Sequence, residues 1–128
     1  MKKLIPFLLL TLFLFSGCTK NNVVIPNTTI ATDVLSTDWK YSSTTQTYYV
    51  NLSIPELTQQ TNTSDGVLIS FSAGNDLYES IPEVYNGDSY TYTHQPGVIT
   101  LEVQAANGAT VNPPAFTIHV KIVLIPSH

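Results

Sequence analysis

The chain has 128 residues, with five lysines, no arginine and nine acidic residues, giving a formal charge of −4. A chain so poor in cations cannot neutralise phosphates, which excludes nucleic acid as a partner and anionic lipid headgroups as ionic ligands. One cysteine excludes an intramolecular disulfide, and the length suits a single domain.

The first elements are a leader and its end. Lys2 and Lys3 give a positive start, and Leu4 to Phe15 is uncharged and apolar apart from Pro6 and Thr11. That run fits a secretory leader and falls short of the ~20 residues a helix needs to cross a bilayer. Ser16-Gly17-Cys18 closes it. Small residues just before a cysteine resemble the bacterial lipobox, in which the cysteine is acylated and becomes the new N-terminus. The resemblance implies a signal peptide over residues 1–17, lipid on Cys18, and attachment to a membrane of the cell envelope, the outer membrane being expected. Phe15 stands where leucine is commonest in that motif. Removing the leader leaves Lys20, Lys40 and Lys121 against all nine acids. Residues 18–29 are then expected to be the lipidated cysteine and a polar tether, and residues 30–128 the folded domain.

Alternation with period two dominates the domain. In 46–54, Tyr48, Val50, Leu52 and Ile54 share a face, with Thr47, Tyr49, Asn51 and Ser53 on the other. Val67, Ile69 and Phe71 repeat the pattern, as do Tyr90 and Tyr92, then Ile99, Leu101 and Val103. The last run, Phe116, Ile118, Val120, Ile122 and Leu124 against Thr117, His119 and Lys121, is the longest. Between these runs lie turn signals: Ser64-Asp65-Gly66, Asn86-Gly87-Asp88, Gln95-Pro96-Gly97 and Asn107-Gly108. Ser53 and Glu56 have capping-box spacing around Pro55, predicting a short helical turn near 54–60. Seven or eight short strands in this length predict an all-β fold, an antiparallel β-sandwich.

Asp38-Trp39, Ile54-Pro55-Glu56-Leu57-Thr58-Gln59, Asp65 to Ile69 and the ending Phe116 to Pro126 resemble small Bacteroidota lipoproteins. They are also similar to the C-terminal domains of some bacterial collagen-like repeat proteins. The resemblance implies a β-sandwich and no activity, and the Gly-X-Y tract of the collagen-like members is absent.

With Cys18 given to lipid, His94 and His119 lie on strand patterns, His128 is terminal, and no Gly-x-Ser-x-Gly elbow occurs. Glu79 and Glu83 flank Ser80-Ile81-Pro82 and are the carboxylates open to glycoside hydrolysis. Loop acids Asp65, Asp76, Glu79 and Asp88 are the only set from which a calcium site could be built, and no cofactor motif is present. Tyr48, Tyr90, Tyr92 and Trp39 read as core. Tyr49, on the polar face of its strand, with Tyr78 and Tyr85 beside turns, are the candidate ligand-binding residues, since exposed tyrosines among Asn, Asp and Thr suit glycan or protein contacts. The expected function is a non-enzymatic, lipid-anchored binding or structural accessory domain with a protein or glycan partner. The alternative is a carbohydrate-active protein, and a third reading is a subunit that offers edge strands to another chain.

Overall fold

The computed structural model describes residues 17–18 and 23–127. The leader up to residue 16 and His128 therefore lie outside the described residues, as does the tether segment 19–22. Cys18 is exposed and unpaired with any other thiol.

The expected β-sandwich is present. Nine strands occur among the described residues: β1 Thr28–Val34, β2 Lys40–Ser42, β3 Thr47–Ser53, β4 Gly66–Ser72, β5 Glu79–Ser80, β6 Glu83–Tyr85, β7 Asp88–Gln95, β8 Val98–Ala105 and β9 Ile118–Ile125. One sheet has the order β1-β9-β4-β5 and the other β2-β3-β8-β7-β6. Every paired neighbour is antiparallel.

The two central strands carry the alternation that makes the core. Ile118, Val120, Ile122 and Leu124 of β9 are buried, and so are Ile99, Leu101 and Val103 of β8. Side chains of a strand alternate between faces, so each of these strands sends one apolar row between the sheets and one row outward. Trp39 is buried in the same core, as expected. Tyr90 is buried too, while Tyr48 and Tyr92 are partly buried and pack against the core.

Three boundaries differ from expectation. β1 begins at Thr28, so the last residues assigned to the tether are already sheet, paired with Leu124 and Val123. The expected short helical turn near 54–60 resolves into a single turn, closed by the Leu57 N–H on the Ile54 carbonyl at 3.0 Å, and a helix that starts later, α1, Gln59–Ser64. Its cap is Thr58, whose Oγ1 accepts from the Thr61 N–H at 3.2 Å. Ile54 and Leu57 also tie to the β7–β8 turn: the Ile54 N–H donates to the Gly97 carbonyl, and the Gly97 N–H donates to the Leu57 carbonyl at 2.7 Å. Phe116 precedes β9 and is exposed at the surface.

The turns divide likewise. Asn86 and Gly87 both take positive φ, 51° and 85°, and join β6 to β7 as a tight hairpin. Asn107-Gly108 lies in a turn, as expected, but not a hairpin, because β8 and β9 lie in different sheets. Asn107 Oδ1 accepts from the Ala109 N–H instead, a side-chain-closed turn opening the loop to β9.

On the side where β4 and β7 face each other, their edge strands are short. β5 covers only Ser70 and Phe71 of β4, and β6 covers only Asp88 to Tyr90 of β7. The chain crosses between the sheets there through a cis Ile81-Pro82 bond. Past that crossing, α1 spans the gap, with its Asn62 Oδ1 accepting from His94 Nδ1 at 2.7 Å.

Candidate functional site

The outer face of the five-stranded sheet is where sequence and geometry meet. Register aligns Lys40 with Tyr49, Tyr49 with Glu102, and Glu102 with Thr91. The next outward row is Asn51, Thr100 and Thr93. Thr100 Oγ1 donates to Asn51 Oδ1 at 2.8 Å, which orients that amide beside the Tyr49 ring. Together with Tyr41 and the β2–β3 turn, Tyr49, Asn51, Thr100 and Glu102 line a shallow open hollow of about 420 Å³.

The rim of that hollow is fixed by its own hydrogen bonds. The Thr45 N–H donates to Ser42 Oγ at 3.3 Å, and the Thr45 and Thr47 hydroxyls share a bond of 2.7 Å. Gln46 takes φ 56° so that the four-residue turn can close. Tyr41 leans on Tyr48 with ring centroids 5.1 Å apart. One half-buried aromatic, an oriented amide, several hydroxyls and one carboxylate make a surface that can stack on and hydrogen-bond to a polar, neutral ligand.

The three expected tyrosines do not form one site. Tyr49 lies in the hollow. Tyr78 lies over the other sheet, where Lys121 Nζ stands 3.8 Å from its ring centroid, so one stacking face is already taken by a cation. Tyr85 belongs to the edge strand β6 and packs against the core. Sheet membership separates Tyr78 from the other two, while Tyr49 and Tyr85 share the five-stranded sheet but lie three strands apart, one facing outward and one against the core, and alternation within one strand carries no information about either separation.

Glu79 and Glu83 are adjacent through the crossing between sheets. Burial pushes the Glu83 carboxyl above its ordinary range, and the charge of Glu79 adds to the shift. One Glu83 oxygen, Oε1, is buried without a hydrogen-bond partner. Neither acid lines the hollow around Tyr49, nor a second hollow of about 580 Å³ beside Pro82, Thr91, Tyr92, Thr93 and His94. A glycosidase pair would need to flank a space for the sugar ring.

A row that sequence reasoning missed crosses the outer face of the four-stranded sheet. Asp33 pairs with His119, and His119 with Ser72. His119 Nδ1 donates to Asp33 Oδ1 at 2.7 Å. Ser72 does not complete a nucleophile arrangement, because its Oγ accepts from the Gly74 N–H and donates to Asn75 Oδ1 beneath the loop after β4. Only strand register could have found this row. The loop acids Asp65, Asp76, Glu79 and Asp88 are not brought together: among the described residues, no three His, Cys, Asp or Glu side chains gather as a metal site.

No protein-family model, curated protein or solved structure matches this chain.

Proposed function

We propose that this is a lipid-anchored cell-envelope protein whose sandwich is a non-enzymatic binding domain, with the Tyr49 hollow as its contact surface. The observation that carries the reading is the hollow itself, where register sets Tyr49, Asn51, Thr100 and Glu102 side by side on an open sheet face. Its chemistry suits a neutral hydroxyl-rich ligand such as a glycan, or a polar protein loop, more than an ion. The lipobox-like Ser16-Gly17-Cys18 supports the anchor, and the outer membrane is the proposed location. The likeness to small Bacteroidota lipoproteins fits the same reading.

The second reading is a glycan-cleaving protein, favoured by the raised Glu83 carboxyl beside Glu79. It is weakened because neither acid lines either hollow.

The test has two parts. Cells expressing the chain are fed labelled palmitate, and label is expected on the intact chain and absent from Cys18→Ala. The same chain is then retained on immobilised neutral polysaccharides, where Tyr49→Ala should lose retention and Tyr78→Ala should keep it. Sugar release abolished by Glu79→Gln or Glu83→Gln would replace the binding reading with the hydrolytic one.

A further inference from the structure

The four edges of this sandwich are not alike. β2, β5 and β6 are edge strands of three, two and three residues, too short to template another chain. β1 is an edge of seven residues, paired along its whole length with β9 on one side. Among the described residues, nothing pairs with its other side. Folded proteins blunt a long edge with proline, lysine, a bulge or a covering element. The β1 sequence Thr-Thr-Ile-Ala-Thr-Asp-Val has no proline or lysine, its one charge, Asp33, is tied to His119 on the outer face, and its register with β9 runs unbroken from Thr28 to Val34.

We propose that a second copy of this chain covers that edge, with β1 paired antiparallel to β1 about a two-fold axis at Ala31. The two four-stranded sheets become one sheet of eight strands. A dyad at Ala31 is the register that uses all seven residues, and it opposes Ile30 to Thr32, Thr29 to Asp33 and Thr28 to Val34 of the second copy. Opposed residues share a sheet face, so the partly exposed Ile30 and Thr32 of each copy cover one another on the core side.

On the outer side, the register opposes no like charges. Asp33 is the only charged residue of β1, and the dyad sets it opposite a threonine hydroxyl rather than another acid. Its Oδ1 is occupied by His119, which leaves Oδ2 to accept from Thr29 of the second copy. A dyad two residues later, at Asp33, would oppose like charges. Ala31 meets only Ala31 at the axis, so no bulk separates the strands.

The anchors permit this pairing. Thr28 of the two copies stands at opposite ends of a strand pair about 23 Å long. Nine residues lie between Cys18 and Thr28, and these ten steps reach up to about 33 Å, long enough for both lipid anchors proposed above to meet one bilayer. Confinement to that bilayer raises the effective concentration of one edge for the other, which lets a modest strand contact hold.

Two measurements test the pairing. In cell membranes, the full chain carrying Ala31→Cys is oxidised beside one carrying Thr44→Cys in the exposed β2–β3 turn, with the unsubstituted chain as a check on Cys18. The expected result is a disulfide-linked dimer for A31C and none for T44C. In solution, residues 19–128, which hold every buried hydrophobic side chain of the described residues, should move from the mass of one chain toward two as concentration rises in light scattering. Ala31→Lys, at an exposed position, should keep one chain's mass with an unchanged melting temperature. Equal cross-linking of A31C and T44C, or a mass of one chain up to about 1 mM, overturns the proposal.

Discussion

The Tyr92 hydroxyl donates to the Val67 carbonyl at 2.9 Å, a bond from one sheet of the sandwich to the backbone of the other. Val67 lies on β4 past the reach of β5, so this carbonyl belongs to a stretch of strand without a neighbouring strand on that side. The bond fastens the mouth between β4 and β7, next to α1. Tyr92→Phe keeps the ring and removes the donor. The expected loss is about 1–2 kcal/mol in urea unfolding, with an unchanged slope, since the cost is one unsatisfied edge carbonyl.

The core makes a larger demand. Ile122 is fully buried on the central strand β9, facing the other sheet. Ile122→Ala removes apolar surface and leaves a cavity between two sheets that cannot close on it, so about 2–5 kcal/mol should be lost. Lys121→Ala, one residue away and on the outer face, gives up its contact over the Tyr78 ring and should cost at most about 1 kcal/mol. Urea denaturation of both variants checks the contrast.

Glu83 gives a pH signature. Its carboxyl is raised above 4.5, first by burial and then by Glu79. A folded-state value above the unfolded one means the folded chain holds this proton more tightly, so the contribution to stability is full below pH 4.5 and is lost as pH rises through the raised value. Glu83→Gln stays neutral and should be more stable than the parent at pH 7. The two chains should converge when melted under acid conditions. A variant less stable at pH 7 would show instead that the carboxylate is held by a favourable contact.

Tyr90 makes the matching signature in alkali. Burial, followed by Asp88 and other nearby acidic groups, pushes its hydroxyl from 10.0 up to about 12. As pH climbs through that interval, the unfolded chain releases the proton before the folded chain does, and stability falls. Tyr90→Phe should flatten this part of the pH profile of the melting temperature. The ring would keep its place against Phe71, 5.0 Å away between centroids.

Residues 98–105 and 118–125 were readable because each is a central strand with one buried and one solvated face, the condition under which alternation is cleanest. β1 was harder, since an edge strand buries little and its Thr-Thr-Ile-Ala-Thr looks like a polar linker. β5 and β6 are too short for any period to register. The helix was misplaced because Ser53 and Glu56 mimic a capping box while Gln59–Ser64 has no apolar stripe and buries none of its residues. Within the hollow, Tyr49 was legible as an outward aromatic. Its neighbours Glu102 and Thr100 were not, because they arrive through β3–β8 register across about fifty residues of sequence.

The most direct measurement is to titrate the isotope-labelled domain with a neutral glycan that it retains, following backbone and side-chain amides by NMR. The account requires shifts that gather on Tyr49, Asn51, Thr100 and Glu102, and a weakening of about tenfold or more for Tyr49→Ala. Shifts gathered instead around Glu79 and Glu83, with Tyr49→Ala binding like the parent, would contradict it.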